Sequence, residues 1–154
     1  MKVFISYSTD DFGTVRKLAN AISSLVEVYY WDKDKALGKN AWSTIFGWID
    51  GVDLVIVVIT DATVSRAMAV GQEIGHARAR GKIIIPFVGE GVQKSELGCL
   101  EGVTYEVFSK DNQDRAIMNI KLQIENMIKQ KDDQKKALIL IGCFIAVLFI
   151  CTQE

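Results

Sequence analysis

Short apolar runs alternate along the chain with longer segments in which apolar and polar residues are mixed. The short runs are rich in valine, isoleucine and aromatic residues, which is typical of strands buried in a parallel sheet. In the longer segments apolar residues recur every three to four positions, which predicts amphipathic helices. Alternating strands and helices predict an α/β domain of three layers, built on five parallel strands with right-handed crossovers. The predicted strands are Lys2–Ser8, Glu27–Trp31, Asp53–Thr60, Lys82–Val88 and Val103–Phe108.

The predicted helices have recognisable ends. Residues 8–11 (STDD) offer side chains that cap the first helix, and Ser109 is placed to cap the last. Pro86 lacks the N–H group of a ladder hydrogen bond, so we expect it near the end of its strand or beside a bulge. The apolar helix positions include Val15, Leu18 and Ile22, then Trp42, Ile45 and Ile49, and finally Ile117, Ile120, Ile124 and Met127.

The stretch Asp53–Glu73 connects the most apolar strand to a helix that carries a glutamate near its start. An open parallel sheet binds ligands outside the carboxyl ends of its strands, at the point where the strand order reverses. If Asp53–Thr60 is the central strand at that reversal, Glu73 faces the crevice. A glutamate early in a surface helix is otherwise most often solvated, so the pattern by itself makes Glu73 only a candidate.

Composition narrows the class of protein. The length of 154 residues suggests one domain, and a net charge of −1 does not favour a nucleic-acid partner. The three cysteines have no metal-ligand spacing and no evident pairing, which favours a reducing compartment and predicts no metal site. The N-terminus lacks the pattern of a secretory signal peptide, so we expect the folded part in the cytosol.

The C-terminal residues follow a different pattern. Residues 129–136 have the composition of a charged linker, and Ala137–Cys151 contains no charged residue. This run is shorter than the roughly 20 residues that cross a bilayer, yet it has no polar face of the kind that a soluble domain's helix shows. We predict a C-terminal apolar helix at residues 137–152 that anchors the protein in the cell membrane, with the preceding lysines keeping the domain in the cytoplasm. The alternative is a helix buried against the domain or a partner, in a cytoplasmic protein.

Several segments in this order resemble a known family. VFISYS (residues 3–8) and YYWDKDKALGKNAW (29–42) are similar to the first strand, the second strand and the BB loop of TIR domains (Toll/interleukin-1 receptor/resistance protein). DLVIVVIT (53–60) and AVGQEIGHARARGKIIIPFV (69–88) resemble the third strand, the glutamate-bearing helix and the fourth strand of prokaryotic TIR proteins. The resemblance implies a flavodoxin-like three-layer sandwich with strand order 2-1-3-4-5, in a TIR domain spanning residues 1–128.

Many TIR domains cleave NAD⁺ at the nicotinamide–ribose bond. The resemblance therefore implies an NAD⁺ nucleosidase, hydrolysing or cyclising in defence or stress signalling, with NAD⁺ as the substrate and no separate cofactor. The family's catalytic glutamate falls on Glu73, and many relatives carry a tryptophan four residues earlier, where this chain has Ala69. The substrate-binding positions of the family fall on Ser6, Tyr7, Ser8, Asp32, Lys33 and Gly38. Trp42 is a further candidate for stacking on the nicotinamide ring.

These residue types suit the implied chemistry. Breaking the nicotinamide–ribose bond develops positive charge on the ribose, as glycoside cleavage does, and a carboxylate stabilises that charge. Nicotinamide leaves as a neutral molecule, so no strong general acid is needed and His76 is given no role. Hydroxyl and N–H groups of residues 6–9, before a helix, suit a pyrophosphate. No GxGxxG follows the first strand, which argues against a hydride-transferring enzyme.

Three other functions stay open. A non-enzymatic TIR adaptor or scaffold would act through homotypic TIR–TIR contacts, and the resemblance implies self-association for the enzyme as well. An enzyme similar to nucleoside deoxyribosyltransferases would use Glu73 as a nucleophile on nucleosides and ignore NAD⁺. A phosphoacceptor receiver would require Asp10, Asp11, Asp61 and Lys110, but Asp61 lies one residue beyond the predicted third strand. The receiver also leaves the glutamate-bearing helix unexplained.

Overall fold

A computed structural model describes residues 1–32, 40–61, 67–100 and 102–151, without the side chains of Ala67, Cys99 and residues 137–151. Lys33 and Gly38, predicted to bind substrate, lie outside the described residues. The chain divides into two units, Met1–Lys121 and Leu122–Glu154. The strands are β1 (Lys2–Ser6), β2 (Glu27–Tyr30), β3 (Leu54–Ile59), β4 (Ile83–Gly89) and β5 (Glu106–Phe108). The α-helices are α1 (Phe12–Ile22), α2 (Ala41–Gly51), α3 (Ala67–Ala79) and α4 (Gln113–Cys151), with 3-10 turns at Thr9–Asp11 and Lys94–Leu100.

The five strands form one parallel sheet in the order β2-β1-β3-β4-β5. This confirms the predicted flavodoxin-like α/β fold and its strand order. The order reverses between β1 and β3, which pair directly, with Ser6 opposite Val57. The carboxyl ends of these two strands therefore border the crevice in which this class of sheet binds ligands.

Burial is greatest along β3, where every residue is buried. Because successive side chains of a strand point to opposite faces, this burial requires cover on both sides of the sheet. Helices α2 and α3 pack on the face that carries Phe4, Val55 and Val57. On the other face Val3 and Ile5 are equally buried. The continuous apolar run of β3 follows from its place between two layers.

Pro86 lies in the middle of β4, opposite Val57, so its predicted place near the strand's end is wrong. Strand β5 pairs with β4 only from Phe87 onward. Pro86 thus precedes the part of β4 that has a neighbour on its outer side. A strand with one short neighbour can contain a residue without an N–H group there.

The helix starts differ from the predicted caps. Neither Ser8 nor Asp11 forms a side-chain cap hydrogen bond at the start of the first helical segment. Asn112, rather than Ser109, stands at the start of α4, where its Oδ1 accepts from the Ser109 N–H at 2.7 Å. Asn40 caps α2 by accepting from the Ser43 N–H at 3.1 Å. Asparagine serves as well as serine at these positions.

Helix α4 continues through residues 129–136, so the segment with the composition of a charged linker is helical and exposed. Within the described residues no helix has the length and apolar character needed to span a membrane. The side chains of residues 137–151 and the whole of Thr152, on which the predicted anchor depends, lie outside the described part. The anchor and the predicted domain boundaries stay predictions.

Candidate active site

Glu73 is a buried carboxyl group near the middle of α3. The sequence pattern predicts a position near the start of this helix. Its exposed fraction is 8%. The same helix buries Val70, Ile74 and Ala77 in the core face against β3. A glutamate of a surface helix is usually solvated, so burial of this one is a departure that asks for a functional reason.

Burial raises the pKa of Glu73 from its usual 4.5 to about 7, because the charged form loses its hydration. The nearby Ser6 side chain acts in the opposite direction by favouring the carboxylate. Burial is the larger of the two effects, and Ser6 Oγ lies near the carboxyl without a partner in normal hydrogen-bonding geometry. A carboxyl that exchanges its proton near neutral pH, at the crevice of an α/β sheet, is a candidate functional group.

Two serine hydroxyls at the carboxyl end of β1 are buried without a hydrogen-bond partner. Ser6 is 1% exposed and Ser8 is 2% exposed, and neither Oγ has a partner in the described part of the chain. An unsatisfied buried hydroxyl costs about 1–3 kcal/mol. Buried polar groups are normally paired, so this pair of hydroxyls indicates a place that a polar ligand completes.

Tyr7 connects the ends of β1 and β2. Its hydroxyl donates to the carbonyl oxygen of Trp31. Burial raises the pKa of Tyr7 to about 12, and the negative charges of Asp32 and Glu73 act in the same direction. Asp32 and Glu73 thus each lie within electrostatic reach of Tyr7. The Tyr7 ring stacks on Phe12, with centroids 6.3 Å apart.

Trp42 has a different set of neighbours. It is 41% exposed on the first turn of α2, and its ring lies 5.5 Å from that of Phe46. None of its described contacts is with Ser6, Tyr7 or Glu73. Trp31, at the end of the predicted second strand, packs its ring at 6.1 Å from Trp48 in the core. The described contacts therefore group Ser6, Tyr7 and Glu73, and Trp42 stays a predicted contact.

His76 joins α3 to the end of α2. Its Nε2 lies 2.8 Å from Asp50 Oδ1, and its ring stacks on Phe46 at 4.5 Å. Arg80 Nε lies 3.0 Å from the same Asp50 oxygen. The hydrogen bond to His76 lowers the pKa of Asp50, and the charge of Arg80 acts in the same direction. These contacts give His76 a structural role on the helix that carries Glu73.

We expect His76→Ala to destabilise the domain by about 1 kcal/mol, since it removes the ring stack on Phe46. The Asp50 contact is lost as well. Thermal unfolding measured by circular dichroism gives the change. Arg78→Ala, an exposed position of the same helix, is the control and should leave the unfolding temperature nearly unchanged. An equal decrease of the unfolding temperature in both variants would show that the contacts of His76 with Phe46 and Asp50 add no stability of their own.

Asp11 and Thr60 form a contact that the sequence pattern does not reveal. Thr60 Oγ1 donates to Asp11 Oδ1 at 2.8 Å and to Oδ2 at 2.9 Å. Thr60 directly follows β3, and Asp11 lies in the connection after β1. Hydroxyl and acidic residues at strand ends were visible in the sequence, but the pairing depends on the register of β1 and β3.

Metal ligands are not grouped in the described residues, where no cluster of three histidine, cysteine, aspartate or glutamate side chains is present. The candidate site is thus a buried carboxyl with hydroxyls and a tyrosine at the crevice between β1 and β3. Such a site suits a ligand with hydroxyl or phosphate groups and a centre of positive charge.

Comparison with known proteins gives a family match. The sequence profile of the TIR domain family matches residues 3–140. The TIR domains of the activated Roq1 resistosome, which recognises the pathogen effector XopQ, superpose with a TM-score of 0.64 at 17% identity. This match covers 80% of the present chain and 98% of that chain. A search of curated proteins finds no match.

Two further solved structures share the fold. A TIR-STING receptor from the metazoan C. gigas, in complex with 2′,3′-cGAMP, has a TM-score of 0.62 at 23% identity, covering 77% of this chain and 39% of that chain. A 2-deoxyribosyltransferase from the bacterium Bacillus psychrosaccharolyticus has a TM-score of 0.54 at 14% identity, covering 79% of this chain and 90% of that chain. At such identities these likenesses show the fold alone.

Proposed function

Because the chain belongs to the TIR domain family, we propose that it is an NAD⁺ nucleosidase acting in defence or stress signalling. The reaction breaks the bond between nicotinamide and ribose, and the product forms by hydrolysis or cyclisation. The observation that carries this proposal is the buried Glu73 close to the Ser6 hydroxyl, at the strand end where the buried Ser8 hydroxyl has no partner in the described residues. NAD⁺ is the substrate, and no separate cofactor is required.

The role of Glu73 follows from the charges of the reaction. When the bond breaks, its electron pair moves to the nicotinamide nitrogen, which becomes neutral, and positive charge develops on the ribose. A carboxylate in a poorly solvated site stabilises that charge more strongly than one in water. In hydrolysis a water oxygen then bonds to the ribose carbon and releases a proton, which a carboxylate can accept.

Binding of NAD⁺ should change the ionisation of Glu73. Glu73 has a pKa of about 7, so a fraction of the molecules is protonated near neutral pH. The positive nicotinamide ring of the bound substrate favours the charged carboxylate and lowers its pKa. Binding therefore selects the ionised form that the reaction requires.

The remaining predicted contacts complete the proposal. Ser6 and Ser8 offer hydroxyls to the sugar or pyrophosphate, and Tyr7 orients the end of β1. We assign Asp32, Lys33 and Gly38 to substrate binding by similarity to the family, and Trp42 as an aromatic ring that could stack on nicotinamide. Ala69 is exposed on α3, so it supplies no bulky wall where many relatives carry tryptophan. This favours the alternative, a non-enzymatic TIR adaptor or scaffold.

Self-association and membrane attachment belong to the same proposal. TIR–TIR contacts would bring a neighbour's BB loop to the site, and a tail at residues 137–152 inserted in the cell membrane would raise the local concentration of the domain. A cytoplasmic protein is the alternative location.

The experiment that tests the function is NAD⁺ consumption by the full chain, in solution and with liposomes, with products resolved by mass spectrometry. ADP-ribose or a cyclic isomer establishes the enzyme and identifies the reaction. Folded, self-associated protein that leaves NAD⁺ intact favours the adaptor. Cleavage of nucleosides alone favours the deoxyribosyltransferase-like enzyme.

Replacing Ser8 with alanine should separate stability from binding. The variant loses a buried hydroxyl without a partner, so we expect the free energy of unfolding of the ligand-free protein to rise by about 1 kcal/mol. KM for NAD⁺ should rise about 10-fold, because a ligand hydrogen bond is lost. Denaturant unfolding and initial rates measure both. Lower stability with an unchanged KM would show that Ser8 serves the fold instead.

A further inference from the structure

One side-chain contact ties the connection after β1 to the end of β3. The Thr60 hydroxyl donates to both carboxylate oxygens of Asp11, at 2.8 and 2.9 Å. The backbone N–H of Asp11 in turn donates to the carbonyl oxygen of Ser8 at 2.8 Å. Asp11 therefore links the backbone of Ser8 to the end of β3, through its N–H on one side and through the shared Thr60 hydrogen bond to its carboxylate on the other.

This contact joins the segments that follow two neighbouring strands, β1 and β3. Ser6 at the end of β1 lies opposite Val57 of β3. Ser8 lies two residues beyond β1, and Thr60 is the first residue beyond β3. Asp11 and Thr60 are both partly buried, and a hydrogen bond to a charged group is stronger in such surroundings than in water.

Thr60 is itself held from the other side. A Cβ atom on Gly89, at the end of β4, would lie 3.6 Å from Thr60 Cγ2, so the methyl group lies on the side of the residue that faces Gly89. A β-branched side chain has few allowed rotamers. In the rotamer present, the methyl group lies toward Gly89 and the hydroxyl donates to Asp11.

Asp11 stands at the N-cap position of α1 and yet makes no cap hydrogen bond. Aspartate at this position normally accepts from an N–H group of the first turn. Here the carboxylate contacts Thr60 instead, and the Ser8 side chain caps nothing either. The start of α1 therefore lacks the stabilising cap hydrogen bond from Asp11, whose carboxylate contacts Thr60 after β3.

We infer that Asp11 is a positioning residue, whose contact with Thr60 holds Ser8 and its unpartnered hydroxyl in place for the substrate. The inference rests on the proposed NAD⁺ cleavage. Asp11 acts through Ser8 and has no part in the bond-breaking step. Removal of the Asp11 carboxylate should therefore weaken NAD⁺ binding much more than it slows bond breaking in the enzyme–substrate complex.

Paired substitutions test the contact from both sides. Asp11→Ala and Thr60→Val should each raise KM for NAD⁺ about 10-fold with kcat within about threefold of the wild type, the size expected for one hydrogen bond to a charged group. Asp11→Asn and Thr60→Ser keep an acceptor and a donor, so KM should stay within about twofold of the wild type. The double variant Asp11→Ala/Thr60→Val should be no worse than either single one.

Asp53 provides the matched control, because it connects the same two strands at their other end. Its Oδ2 accepts from the Lys2 N–H at 2.8 Å. Asp53→Ala should lower the unfolding temperature and leave KM unchanged. A KM increase in Asp53→Ala as large as in Thr60→Val would overturn the inference, since any loss of stability would then explain it. Additive effects in the double variant would overturn it as well.

Hydrogen exchange in the ligand-free protein gives a readout that needs no turnover. The amide of Asp11, bonded to Ser8, should exchange faster in Thr60→Val than in Thr60→Ser. Equal exchange in both would contradict the inference. If the wild-type chain leaves NAD⁺ intact, the proposed function fails, and the exchange rates then decide by themselves whether Thr60 holds this connection.

Discussion

Glu73→Gln should reduce kcat for NAD⁺ cleavage by at least about 100-fold, the effect of removing one electrostatic group from a preorganised site. Glutamine has nearly the same shape but carries no negative charge, so positive charge on the ribose is no longer stabilised. The buried position of Glu73 makes this loss large, because water is not present to replace the carboxylate.

The control for this variant is Glu27→Gln. Glu27 is the first residue of β2, at the amino end of the sheet and opposite to the site, and its side chain is exposed. The rates are measured with the full chain at equal concentration, and circular dichroism verifies the fold of each variant. Equal rates for Glu73→Gln and the wild type would remove Glu73 from the mechanism, whatever the products are.

The pH profile should show the ionisation of Glu73 directly. Since the carboxylate is the active form, kcat/KM should rise with pH and level off above about pH 7, the pKa of the free site. The profile of kcat should be shifted to lower pH, because the cationic nicotinamide ring lowers the pKa in the complex. A kcat/KM that stays constant between about pH 5.5 and about pH 8.5 would contradict this assignment.

Stability should change with pH in the opposite sense. The pKa of Glu73 is about 7 in the folded protein against 4.5 for an ordinary glutamate, so the folded state holds the proton more tightly. The contribution of the protonated Glu73 to the free energy of unfolding is fully present below pH 4.5 and is lost as pH rises through about 7. At roughly 1.4 kcal/mol for each pKa unit, the loss amounts to roughly 3 kcal/mol.

Glu73→Gln isolates this contribution, since glutamine does not titrate. The difference in unfolding free energy between variant and wild type should grow between about pH 4.5 and 7 and then stay constant. Urea denaturation at several pH values measures it. Other carboxyl groups titrate in both proteins and cancel in the difference. If the variant gains no stability relative to the wild type between about pH 4.5 and about pH 7, the Glu73 carboxyl is solvated.

The residues of the site were partly evident in the sequence. The order of segments around Ser6–Ser8 and Glu73 identified the family, and the apolar run at β3 predicted the central strand. Asp11 and Thr60 were not identified as a pair. Their contact joins residues 49 apart in the chain, and no local pattern describes how two strand ends meet.

At Pro86 and Ser8 the structure differs from what the local sequence rules for strands and helix caps predict. The rule for proline assumes a strand with neighbours along its whole length, whereas β5 covers only the last part of β4. The rule for serine before a helix assumes that the side chain is free to cap, whereas the Ser8 hydroxyl is buried. In both cases packing between distant segments determined the outcome.

The sequence by itself determined the class of fold, because the period of apolar residues reports which faces of strands and helices are buried. It also placed the serines at the end of the first strand and Glu73 on the helix that follows the central strand, although Glu73 lies near the middle of that helix and not near its start. Only the tertiary structure decided that Glu73 loses its water and that Ser6 and Ser8 have no partner. Hydration depends on everything that surrounds a group in space, and those surroundings come from segments that are far apart along the chain.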